Sequence, residues 1–147
     1  MKVKNKSYRY SEWLSPEEMH AMSVQWLSKL KFAKDEQLFL NDLVRNYTLQ
    51  LVEGDIFEKS KVIVKDLSNA EKEVIILMKK VQVHENQLNI MTDDINQLPM
   101  EKAYIQAHKE LLSEIEHYSA EYRELKVKLF GLLTDIMKKQ KQHRLLH

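Results

Sequence analysis

The residues of this chain best suited to chemistry near neutral pH are its histidines, of which there are six among 147 residues, with no cysteine. Three draw attention by position. His84 and His108 both fall on the apolar stripes of their segments, and His20 lies beside Met19, about one turn from Ser23. A cluster of this kind has three uses. It can be a hydrogen-bonded polar layer that fixes helix register, a proton switch that loosens one end of a bundle on acidification, or a metal site. Structural zinc asks for four ligands, and His20, His84 and His108 supply three, so the polar layer is the expectation and the metal site is not favoured.

The Glu-x-x-His spacing, which provides ligands in di-iron helical bundles, occurs at Glu17/His20 and at Glu114/His117. It carries little weight here. Glu114 flanks its stripe, His117 points away from it, and no carboxylate falls at a core position to bridge two irons. The chain also lacks a hydrolase elbow, a phosphate-binding glycine loop and a zinc-protease motif. The expectation is a protein that is not an enzyme and carries no cofactor.

The elements that place these residues follow from composition. Two glycines and two prolines are too few for the many turns of a β-rich or α/β domain. At 44% hydrophobic and 31% charged, the chain is apolar enough to fold and long enough for one domain. The breakers sit where helix ends belong. Ser15-Pro16-Glu17-Glu18 combines an N-cap, a proline at the first helical position and a capping-box glutamate, with Leu14 and Met19 placed to staple it. Gly54 suits a C′ position before a second start at Asp55-Ile56-Phe57-Glu58, and Pro99 marks a third. Helices are therefore expected at about 16–53, 56–92 and 99–140. They would form one domain over 15–142, between a basic, aromatic-containing tail at 1–14 and a short tail at 143–147.

Apolar residues recur at alternating spacings of four and three in all three segments: from Met19 through Trp26 and Leu40 to Leu51, from Ile56 through Leu67 and Val81 to Met91, and from Tyr104 through Ile115 and Leu129 to Ile136. No lysine, arginine, aspartate or glutamate falls on any of these seams. A sustained heptad pattern of this kind is the signature of coiled-coil packing. Folding the segments back on themselves sets Met19 level with Leu88 and Tyr104, Trp26 with Val81 and Leu111, and His84 with His108, using only short connections. The fold class predicted is all-α, an elongated up-down-up antiparallel three-helix bundle. Gln37 falls level with Tyr122, whose hydroxyl is its expected partner, and Ser68 with Glu71 forms a second capping box that could split the middle helix, although the seam passes through in phase and favours a continuous one.

A second apolar stripe lies off the seams. Val24, Phe32, Leu38 and Phe39 in the first helix, with Ile75, Ile76 and Val83 in the second, occupy outer heptad positions, and the register sets Val24 level with Val83 and Phe32 with Ile75. Apolar surface of this kind marks an interface, and the simplest partner is a second copy or another helical protein. Basic residues mixed with aromatics at Lys2, Lys4, Lys6, Tyr8, Arg9, Tyr10 and Trp13, and the run Lys138, Lys139, Lys141, His143 and Arg144, suggest nucleic-acid binding as a lesser alternative. A net charge of +1 gives no general attraction to phosphate, and basic residues near a helix C-terminus simply suit its dipole. The basic N-terminus is followed by no apolar stretch, and the longest aliphatic run, Val74 to Met78, cannot cross a bilayer. The sequence thus reads as a cytoplasmic interaction protein that self-associates, with a metal- or pH-responsive bundle as the alternative and nucleic-acid binding through the tails as the second.

Overall fold

The computed structural model describes residues 15–92 and 98–146. It is an all-α bundle with four helices in chain order: α1 (Pro16–Asn46), α2 (Thr48–Leu51), α3 (Ile56–Thr92) and α4 (Leu98–Leu146). The three long helices run up, down and up, and no strand occurs among the described residues. The capping box that starts α1 is formed, with the Glu18 amide donating to Ser15 Oγ at 3.1 Å and the Ser15 amide to Glu18 Oε1 at 3.4 Å. Leu14, the other half of the expected staple, lies outside the described residues.

The first helix does not run unbroken to residue 53. It ends at Asn46, and Tyr47, with φ −110° and ψ 19°, separates it from the four-residue α2. The physical cause is local. Thr48 Oγ1 donates to the carbonyls of Arg45 at 2.8 Å and Val44 at 3.2 Å, and a hydroxyl turned back on the preceding turn competes with the helical ladder. Burial falls off at the same place: Val44, Tyr47 and Ile56 are only half-buried although they continue the seam. α3, by contrast, is continuous through Ser68, and Glu71 accepts a bond from Asn41 Nδ2 at 2.7 Å. α4 extends to Leu146, so the stretch expected as a C-terminal tail from 143 is helical as far as that residue.

The helices form two compact units. The first comprises the described parts of Met1–Phe32 and Val74–His117, the second Ala33–Glu73 and the described part of Tyr118–His147. In the first unit Met19, Leu88, Met91 and Tyr104 make a buried cluster, as the heptad register requires. In the second, Leu40, Leu67, Leu125 and Leu129 are buried. Among the described residues, every buried side chain belongs to a seam except Leu133. Each large aliphatic group so buried is worth roughly 1.5–3 kcal/mol relative to exposure, which is why the uncharged stripe decides which face of each helix turns inward.

Two glycines test the backbone. Gly54 holds φ +52° in the turn before α3, a conformation that a side chain disfavours. Gly131 is within α4, and a Cβ there would meet nothing within 4 Å. Gly131→Ala should therefore stabilise the protein by about 0.5–1 kcal/mol, and Gly54→Ala should destabilise it by about 1 kcal/mol. Chemical denaturation midpoints moving in opposite directions are the expected result; shifts of the same sign would contradict these backbone assignments.

Candidate functional site

The polar residues of the first unit converge on one layer. Ring Nε2 of His84 on α3 and Nδ1 of His108 on α4 lie 2.8 Å apart in a hydrogen bond, as the shared layer requires. The two imidazoles stand in an aromatic file. Trp26 packs on His108 with centroids 4.5 Å apart, and Tyr104 stacks on His84 at 4.0 Å with planes 5° apart. His108 is 1% exposed, and its Nε2 is buried without a partner. One ring donates to the other, so whichever tautomer is present, one nitrogen of this pair remains unsatisfied.

The rest of the expected cluster is not assembled. Ser23 Oγ donates at 2.9 Å to the carbonyl of Met19 on its own helix, so its proton is spent there and not on an imidazole. His20 is on the flank of α1 and pairs through Nδ1 with Glu85 Oε2 at 2.5 Å. Among the described residues, no group of three or more side chains is arranged to hold a metal ion. The three histidines thus divide into a buried pair and a separate flank contact, because residue 20 neighbours the seam without belonging to it.

Electrostatics follow from burial. His84 is held below its ordinary 6.5, chiefly by desolvation and against the pull of Glu85. His108 is pushed down to about 4, first by desolvation and then by His84. The Tyr104 hydroxyl is held above the ordinary phenol range by burial, with the Glu85 charge adding to it and the neighbouring Ser23 opposing it. Protonation of both imidazoles would place two N–H groups against each other across one hydrogen bond, so the layer accepts the first proton far more readily than the second.

The second unit has its own polar layer. Gln37 Nε2 donates at 2.7 Å to the Tyr118 hydroxyl, which donates at 2.9 Å to the carbonyl of Ala70. The expected partner of Gln37, Tyr122, instead donates to Glu36 Oε1 at 2.8 Å, where Lys126 Nζ also binds at 3.0 Å. The Gln37 amide thus bonds one turn lower on α4 than the residue that shares its Cα level. Burial lifts the Tyr118 hydroxyl to about 12 despite the bond from Gln37. This layer specifies packing; it has no group poised to transfer a proton near neutral pH.

The outer apolar residues named from sequence are all exposed, from Ile75 at 45% to Phe32 at 68%. They do not all share one flank. In the first unit, His20 turns toward α3, and Val24 follows it by one turn on that side. Ile76 and Val83 turn toward α4 instead, where they line a groove with Ala107 and Leu111. Heptad position alone left the direction of each flank open, and the cross-helix pairs Glu85–His20 and Lys80–Glu114 settle it. Ile90, 61% exposed, continues this line at a spacing of seven from Val83. The aromatic N-terminal tail lies outside the described residues.

No family model matches the chain, nor does any curated protein or solved structure.

Stability should fall with acid through the histidine pair. Both folded-state values lie below 6.5, so below that pH the unfolded chain binds protons that the fold refuses. The loss begins as pH drops through about 6.5 and levels off near 4, reaching roughly 3 kcal/mol for His108 alone. The double variant His84→Leu/His108→Leu should lose this component and keep near-wild-type stability at neutral pH. Urea denaturation at pH 7.5 and 5 checks it; equal pH dependence in the two proteins would refute the assignment.

Proposed function

We propose that this chain is a non-enzymatic helical interaction protein that associates with itself. The observation that supports this reading is the outer apolar surface: Phe32 is 68% exposed and Val83 and Ile76 are each 53% exposed, on helices whose charged residues could have occupied the same positions without affecting the core. Apolar side chains kept in water on regular helix positions are the ordinary raw material of an interface. The heptad pattern behind them supports coiled-coil association with a helical partner, of which a second copy is the simplest. No helix among the described residues is long and apolar enough to cross a membrane, which favours a protein partner for this surface.

A second reading, in which the bundle responds to pH, draws on the buried His84–His108 bond. It requires a structural change on acidification beyond lost stability. The self-association reading is preferred because an imidazole pair can serve packing alone.

Light-scattering chromatography across a hundredfold dilution series tests the proposal. The expected mass at high concentration is twice that of the 17.5 kDa chain. A monomer throughout would overturn self-association. An unchanged mass with altered elution at pH 5.5 would favour the pH-responsive reading.

A further inference from the structure

The self-association proposed above leaves open which surface is used, and the first unit carries a groove suited to it. Along α3, Ile76, Val83 and Ile90 recur every seven residues and are 53%, 53% and 61% exposed. A spacing of seven keeps side chains on one line of a helix that packs along another. Opposite them, α4 presents short side chains at Ala103 and Ala107. The result is a continuous trough in two adjoining cavities of about 480 and 380 Å³, with His84 and Tyr104 reaching its floor. Its heptad spacing suits a helix pair as occupant.

Charge selects which pair. The α3 side of the trough carries Lys79 and Lys80, and the α4 side carries Glu110 and Glu114. Lys80 and Glu114 stand at the same height, since Lys80 Nζ reaches Glu114 Oε1 at 2.9 Å. A two-fold axis running along the trough, parallel to the helices, preserves height while exchanging the two sides. It would lay the lysines of each copy over the glutamates of the other and bring Ile76, Val83 and Ile90 against their own counterparts. An axis crossing the trough at that height would lay lysine over lysine and glutamate over glutamate, which is unfavourable. The surface is thus self-complementary in one arrangement and self-repelling in the other.

Resting on the self-association reading, we infer that the α3–α4 groove of the first unit is the contact between two copies, related by a two-fold axis parallel to the helices. Four helices, α3 and α4 from each copy, then enclose a second apolar seam built on Ile76, Val83 and Ile90. Every neighbour across the contact is antiparallel, since α3 of one copy lies on α4 of the other. Phe32 and Phe39 on α1 are outside this contact.

The absence of cysteine makes single-cysteine cross-linking a clean test. Under the inferred axis both Val83→Cys and Ile90→Cys should be joined to their counterparts by a short bis-maleimide linker, because each lies across the axis from itself at equal height. Cross-linking at 83 without cross-linking at 90 would mean an antiparallel arrangement and overturn the axis. In light-scattering chromatography Val83→Glu should halve the mass with helical circular dichroism retained, while Phe32→Ser/Phe39→Ser stays dimeric. Lys79→Glu/Lys80→Glu should also dissociate, and adding Glu110→Lys/Glu114→Lys should restore the dimer. A wild-type monomer would refute self-association itself. A wild-type dimer that survives Val83→Glu but is broken by the phenylalanine variant would refute only the groove.

Discussion

The constraint on which the structure depends is the exclusion of formal charge from one stripe of each long helix. Burying an unpaired lysine or glutamate costs far more than any single packing contact returns, so a charge-free stripe can turn inward and its charged neighbours cannot. The burial pattern follows this rule closely, with Leu133 as the one buried residue outside the seams among those described. Ser23, Ser60, Gln37, His84 and His108 are uncharged yet polar, and each buried one needs a bond. The serines find it close by: Ser23 donates to the Met19 carbonyl, and Ser60 to those of Leu51 and Phe57. The longer side chains find it across the bundle, Gln37 at Tyr118 and His84 at His108. Short polar groups thus leave packing free, and long ones tie one helix to another.

Residues flanking the seams decide a second matter, the side on which each helix meets its neighbour. In the first unit Glu85 reaches α1 through His20, and Lys80 reaches α4 through Glu114. These exposed pairs add little stability individually. Their value is directional: they show which flank of α3 faces which helix, and hence that Ile76 and Val83 open toward α4. In the second unit Asn41 binds Glu71 on the α3 side of α1, while Glu36 binds Tyr122 and Lys126 on the α4 side.

Much of this was legible in the residues. The starts of α1 and α3, the continuity of α3 and the level pairing of His84 with His108 follow from capping signals and heptad phase, which are local and periodic. Four features escaped for identifiable reasons. The break at Tyr47 depends on which carbonyl the Thr48 hydroxyl selects, and threonine mid-helix does not announce that choice. Gln37 bonds Tyr118 and not its level partner Tyr122, because a level fixes Cα height and not which of two neighbouring hydroxyls a flexible amide reaches. The outer stripe was read as one face because a palindromic heptad pattern has no handedness; only cross-helix contacts supply one. His20 was grouped with His84 and His108 by height alone, although its position beside the seam directs it to Glu85.

The histidine pair is a costly way to fill a core layer, since one ring nitrogen stays unsatisfied, and leucines would pack there without that loss. Its return is in register. Moving α4 by one heptad relative to α3 would set His84 against Ile115 and His108 against Met91, burying two imidazoles with no bond between them. A seam of aliphatic residues alone would tolerate that slip, because Leu, Ile and Met differ little in volume. The Gln37–Tyr118–Ala70 chain imposes the same condition in the second unit, where a slip would strand an amide and a hydroxyl. Each compact unit therefore holds one layer whose cross-helix bonds form in a single alignment, and the aliphatic stretches of the seams can be simple because they need not encode it.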